Sequence, residues 1–389
     1  MAHSLPWLAA LLTAAALSTA TAAPPPAAEG VPAPSNVRGR EYPKIHPDLS
    51  VTFRATAPNA KTVAVAARAA DSGMNGNTPF VMKRLDDKGT WEVTTTPLRP
   101  GFHYYDLIVD GTKVNDPSSE TYFGWNQQTS GLEVPDPALD FYSVKNVPHG
   151  DVRVIRYKSS VTGQTRQSFV YTPPGYDTSG NTRYPVLYLQ HGSGENETSW
   201  TWQGKANLIM DNLLAGKKVQ PMLIAMDWGY GTKPGQPNPG GRGNEAFPDV
   251  VIHDLIPAID AKFRTRKDRH SRAIAGLSMG GGQAMNIGLT NLDKFASVAS
   301  LSGAVRNFDS KTSFGGALAD AKSANAKLDL LWIGCGKQDG LYKAATTVHE
   351  SLAASKVEHV WFEGEGSHEW QVWRKHLYDL APRLFKSKK

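Results

Sequence analysis

The chain has 389 residues, 40% of them hydrophobic and 20% charged. That is a core-forming balance at a length that suggests two or three domains. The formal net charge of +6 is spread along the sequence, with no dense basic block beyond the tail at Lys386, Lys388 and Lys389. This argues against a nucleic-acid footprint.

Residues 1–23 read as an export signal. Leu5 to Ala16 is an apolar run too short to span a membrane, and Ala20-Thr21-Ala22 fits a small-x-small cleavage site. The first four residues carry no Lys or Arg. No later stretch is apolar enough to act as a membrane anchor, so the expected location is secreted or periplasmic. Residues 24–35, from Pro24-Pro25-Pro26 to Pro34, read as a Pro/Ala-rich linker.

Residues 36–135 predict a small β-sandwich. Val51 to Ala55 and Thr62 to Ala66 alternate as strands do. Asp87-Lys88-Gly89 turns into Trp91-Glu92-Val93. Pro100-Gly101 precedes the run Phe102 to Val109, and Asp110-Gly111 closes a hairpin. Val51 to Pro58, Gly89 to Trp91 and Pro100 to Asp116 resemble early-set immunoglobulin-like domains. The resemblance makes Trp91, Tyr104, Tyr105, Tyr122 and Trp125 candidates for sugar binding. Large aromatics are mostly buried, however, and core or interface packing is the favoured expectation for them.

A connector leads into residues 140–389, where strands alternate with helices. Val152 to Val154 and Gln167 to Tyr171 come first. Pro185 to Leu189, Met222 to Met226, Arg272 to Ala275 and Leu328 to Ile333 are continuous apolar runs, as expected of strands buried on both faces. Ala206 to Leu214 and Val250 to Phe263 read as helices between them. The pattern predicts an α/β fold with a mostly parallel sheet covered on both sides. The single cysteine, Cys335, lies at the end of one such run and reads as a buried structural thiol.

Gly276-Leu277-Ser278-Met279-Gly280 is a G-x-S-x-G that follows a buried strand and precedes a helix. A nucleophile elbow needs that setting, because the sharp turn lifts the serine hydroxyl above the sheet. A serine needs a base, and in this fold the order is Ser, then Asp or Glu, then His. His368 stands in the loop Glu363 to Glu369, after one strand and before the helix Trp370 to Phe385. His349 and His376 fall within helices and His359 in a strand. Asp339 ends the loop that follows Leu328 to Ile333, placed to orient the imidazole. The backbone N–H of Met279 is one expected oxyanion donor, and that of Gly192 or Ser193, after the strand Tyr188 to Gln190, is the other. No spacing such as H-E-x-x-H implies a metal, and the chemistry calls for no cofactor.

Five stretches give the second unit a resemblance to the esterase D-type carbohydrate esterases, above all the bacterial feruloyl esterases. They are Tyr184 to Gly192, Trp200 to Leu214, Ala275 to Gly281, Trp332 to Asp339 and Gly366 to Arg374. The resemblance implies an α/β-hydrolase fold acting on feruloyl or acetyl esters of plant xylan or similar polysaccharides. Ser193 to Thr198 departs from the glycine-rich acidic run that many relatives carry there, which leaves the acyl preference open. Trp200, Trp202, Trp228, Tyr230 and Trp370 are candidates to wall an aromatic acyl pocket. The leading expectation is a secreted serine carboxylic ester hydrolase, a feruloyl esterase. An acetyl xylan esterase, a siderophore-type esterase or an acyltransferase could use the same residues. A carbohydrate-binding protein with an inactive hydrolase unit is the non-enzymatic alternative, disfavoured by the complete set Ser278, Asp339 and His368.

Overall fold

The computed structural model describes residues 29–68, 78–237 and 243–386, together with Met1 and Met74. The segment expected to be an export signal, Met1 apart, and the first part of the expected linker lie outside the described residues.

The N-terminal region is all β. One sheet runs Val31–Pro32, Lys44–Ile45, Val51–Thr56, Thr90–Thr94, Lys83–Arg84. The other runs Thr121–Gly124, Gln127–Val134, Gly101–Val109, Val63–Ala67, Phe80–Val81, with Thr112–Val114 paired to Gly101–Val109. Alternate side chains meet between them: Val51, Phe53, Val63, Val65, Tyr105, Leu107 and Leu132 are buried in one cluster. Phe53 meets Tyr105 edge-on at 5.1 Å, a favoured aromatic geometry. The unit begins earlier than residue 36. Val31 and Pro32 pair with Ile45 and Lys44, Ala33 is buried, and the Ser35 hydroxyl accepts the Glu133 N–H at 3.0 Å. Proline composition pointed to a linker, but a proline at a sheet edge loses no ladder hydrogen bond.

The second unit is built on eight strands: β1 (Asp151–Lys158), β2 (Thr165–Thr172), β3 (Val186–Gln190), β4 (Leu223–Asp227), β5 (Arg272–Leu277), β6 (Ser297–Leu301), β7 (Leu330–Gly336) and β8 (Val360–Gly364). Their order is β1-β2-β4-β3-β5-β6-β7-β8. Pairing is parallel from β4 to β8, and β2 runs antiparallel to both neighbours. The pleat sends Tyr188, Ile274, Val298 and Ile333 to one face, under the helices Met279–Thr290 and Tyr342–Ala354. Leu189, Ala275, Ala299 and Trp332 go to the other, under Ala206–Ala215 and Trp370–Leu380. Both faces are covered, so the central strands carry no polar alternation. The stretch expected as one helix from Val250 is α-helical over Phe247–Val250 and Ile256–Lys262, with a π segment at Val251–Leu255 between them. Pro257 cannot donate an i→i−4 bond, and the wider segment ahead of it relieves the ladder.

The two units share a buried seam. Arg374, on the helix after the His368 loop, makes two 2.7 Å hydrogen bonds to the Glu133 carboxylate of the sandwich. Its Nε donates to the Gln203 carbonyl at 2.9 Å. Burial works against the Glu133 charge, but the Arg374 charge and hydrogen bonds outweigh it and hold the carboxyl below its usual range. Arg99 reaches across to Glu369 at 3.0 Å. Glu133→Ala leaves a guanidinium with no side-chain exposure and no counter-charge. It is expected to cost about 3–5 kcal/mol, read as a lowered midpoint in chemical denaturation of the whole chain.

Candidate active site

Strand β5 is buried along its whole length and is followed at once by Ser278, which sits at φ 52°, ψ −115°. A non-glycine residue holds that backbone only where its surroundings over-determine it. Here the Ser278 N–H donates to Leu301 O at 2.9 Å, and its carbonyl accepts from Ala304 at 2.9 Å and Gly282 at 3.1 Å. The flanking glycines are required by space. A Cβ on Gly276 would stand 2.4 Å from the Gly280 carbonyl carbon, and one on Gly280 would stand 2.4 Å from the His191 carbonyl oxygen.

His368 lies in the loop after β8. Its Nε2 is 2.9 Å from Ser278 Oγ and its Nδ1 is 2.8 Å from Asp339 Oδ2. The carboxylate can only accept, so Nδ1 carries the proton and Nε2 is free to take one from the serine. Asp339 stands in the loop after β7 with its side chain buried, and its other oxygen accepts the Leu341 N–H at 2.8 Å. Burial opposes ionisation of Asp339, but the His368 hydrogen bond and charge prevail and lower its pKa. The other downstream histidines lie apart from this line. His349 bonds His359 at 2.7 Å, and His376 is buried against Trp332 and Phe362.

The loop after β3 holds the expected oxyanion donors, and the structure separates them. The Gly192 N–H is already given to Glu195 Oε2 at 3.1 Å, so Gly192 is not a free donor. Among the described residues no acceptor takes the Ser193 or the Met279 N–H, which leaves that pair. His191 is structural: its Nδ1 lies 2.7 Å from Gly192 O and its Nε2 accepts the Gly229 N–H at 2.8 Å. Burial lowers its pKa to about 4.

A cavity of about 360 Å³ opens on Ser278 and His368. Its apolar wall is Phe102, Tyr104, Trp125, Leu277, Trp370 and Trp373. Of the five aromatics expected to wall an acyl pocket, only Trp370 lines it. Trp200 is core, with its indole N–H on the Gln190 carbonyl at 2.9 Å. Trp202 is exposed outside the cavity. Tyr230 is buried, and its hydroxyl accepts the Gly194 N–H at 2.8 Å, so it steadies the oxyanion loop. Trp228 lies outside the cavity as well, over the Arg166 guanidinium. Of the sandwich aromatics, Trp91 and Tyr105 are core, and Tyr122 packs edge-on against Phe102 at 4.8 Å. A wider groove of about 700 Å³ with a mixed lining meets the site on the Ser193 and Met279 side, where Asn244, Glu245, Gln283, Asn286 and Arg306 stand beside Pro248, Val305 and Phe314.

Sequence reasoning missed Glu195. Its carboxyl is buried beside the oxyanion loop and takes hydrogen bonds from Gly192 N and, at 3.3 Å, from the Tyr104 hydroxyl. Burial raises its pKa from 4.5 to about 7. The folded chain therefore binds this proton more tightly than the unfolded chain. The stability that this provides is full below pH 4.5 and lost as pH rises to about 7. Glu195→Gln, isosteric and uncharged, should gain stability over the wild type across that window, by on the order of 3 kcal/mol at pH 8. Thermal melts of both proteins from pH 4 upward test this, and a constant difference would refute it.

The Esterase family model matches residues 159–384. An endo-1,4-beta-xylanase/feruloyl esterase of Xylanibacter ruminicola is 38% identical over 369 residues, which are 93% of this chain and 48% of that protein. The chain thus spans about half the length of that relative. Among solved structures, a CE1 ferulic acid esterase from Anaeromyces mucronatus, in complex with ferulic acid, is 27% identical with a TM-score of 0.56, covering 64% of this chain and 96% of its own. The enterobactin esterase of Shigella flexneri shares the fold over 85% of this chain and 93% of its own, with a TM-score of 0.62 at 19% identity. The matched segment contains Ser278, Asp339 and His368 and more than half of the residues, and by that match the chain belongs to the Esterase family.

Proposed function

We propose that the chain is an exported serine carboxylic ester hydrolase that releases feruloyl groups from plant xylan. The observation that carries the reading is the unbroken line from Asp339 through His368 to Ser278, opening on an aromatic cavity. The ferulic acid esterase neighbour and the xylanase/feruloyl esterase relative support the acyl class and the polymer. The apolar run Leu5 to Ala16 and the small residues Ala20-Thr21-Ala22 support export.

In the reaction, His368 Nε2 takes the Ser278 proton as Oγ attacks the ester carbonyl carbon. The charge that develops on the carbonyl oxygen is met by the Ser193 and Met279 N–H groups, each typically worth ~3 kcal/mol in such sites. Asp339 stabilises the imidazolium without taking its proton. The carbon–oxygen bond to the sugar breaks, and His368 returns the proton to the leaving alcohol oxygen. Water then gives a proton to His368 and attacks the acyl-enzyme. Ser278 leaves reprotonated and the carboxylic acid departs. The aromatic cavity suits the acyl ring, and the Asn244, Glu245, Gln283, Asn286 and Arg306 side chains of the wider groove offer hydrogen-bond partners to a sugar.

Ser278→Ala should leave the melting temperature unchanged and reduce turnover of both methyl ferulate and 4-nitrophenyl acetate by about 10⁴-fold or more. Unchanged turnover in the variant would sink the serine mechanism. A wild type that releases acetate but no ferulate would move the acyl class to small esters.

A further inference from the structure

The hairpin that joins Thr121–Gly124 to Gln127–Val134 turns through two residues, Trp125 and Asn126, with Gly124 paired to Gln127. Both residues sit at positive φ, 58° and 63°. Such a turn favours Asn-Gly or Gly-Gly, since a side chain at positive φ crowds its own backbone. Asparagine tolerates this, but a bulky indole does not do so without cost. Burial does not compensate, because Trp125 remains 51% exposed.

The turn rests on the active site. The Asn126 N–H donates to the Gly194 carbonyl at 2.8 Å. Gly194, at φ +82°, is approached so closely that Trp125 Cα and Asn126 Nδ2 both stand 3.3 Å from where its Cβ would be. The loop pressed in this way carries the Ser193 N–H, and Trp125 lines the cavity that opens on Ser278. Backbone strain of this kind collects at functional sites, and a ligand held against the indole would account for it at the mouth of this cavity.

We propose that Trp125 is a specificity-determining residue, lent to the esterase site by the N-terminal sheets, and that its indole packs against the planar ring of an aromatic acyl group. The inference rests on the feruloyl esterase reading and extends it. An acetyl group would leave most of the 360 Å³ cavity empty, whereas a hydroxycinnamoyl group reaches its aromatic walls. Acyl choice is thus made by both units together.

Trp125→Gly tests this, because glycine suits the turn and keeps the Asn126 contact. The variant should melt at or above the wild-type temperature. Its ratio of kcat/KM for methyl ferulate to that for 4-nitrophenyl acetate should fall about tenfold or more, chiefly through KM. Trp125→Phe, which keeps a ring, should retain most of the ratio. An unchanged ratio in Trp125→Gly, with the wild type active on methyl ferulate, overturns this inference alone. A parallel fall of both rates with a lower melting temperature also overturns it, in favour of a scaffold role. A wild type that hydrolyses the acetate but not methyl ferulate overturns the feruloyl reading and this inference with it.

Discussion

A serine hydroxyl becomes a nucleophile only against a base held at hydrogen-bond distance, and the groups that meet here are far apart in the chain. Ser278 and His368 are 90 positions apart, and His368 and Asp339 are 29 apart. The parallel sheet solves this. Strands β5, β7 and β8 run in the same direction, so the loops that follow them gather at one edge. The serine reaches that edge only through a backbone conformation that needs glycine on both sides. The glycines of the elbow are therefore a steric condition of the chemistry: a methyl at either one would overlap backbone that cannot move aside.

Around that line, buried charge is arranged in two opposite ways. Glu133 is held ionised by a guanidinium that it meets through two hydrogen bonds. Among the described residues no guanidinium or ammonium meets Glu195, and burial pushes its carboxyl up to about 7. The first ties the helix after His368 to the N-terminal sheets. The second occupies the Gly192 N–H and reaches the Tyr104 hydroxyl of those sheets. Both the oxyanion loop and the histidine helix are thus braced from outside the catalytic sheet.

How much was legible in the sequence follows the range of the forces involved. Ser278, Asp339 and His368 stand in short loops after apolar strands, and strand, turn and helix are local patterns. The sheet and its two covered faces were readable for the same reason. Trp200 and Trp370 were not separable, because both are tryptophans beside polar residues. Only the packed structure puts one indole on the Gln190 carbonyl and the other at the cavity. Likewise, nothing local reveals that Glu195 takes the Gly192 N–H and so leaves Ser193 as the free amide. The start of the N-terminal unit was misplaced because composition weighs prolines without knowing which edge they face.

The division between the matched and unmatched parts of the chain now has a chemical meaning. The family match begins at residue 159, and every group in the hydrogen-bond line to Ser278 lies within it. Phe102, Tyr104, Trp125 and Asn126 lie before it, yet all four line the cavity. Bond breaking depends on groups fixed to within tenths of an ångström by a rigid sheet. Choice among acyl groups depends on the shape of a wall, which a neighbouring unit can supply. The strained turn at Trp125 belongs to a hairpin outside the parallel sheet, so a change there leaves the hydrogen-bond line to Ser278 where it is.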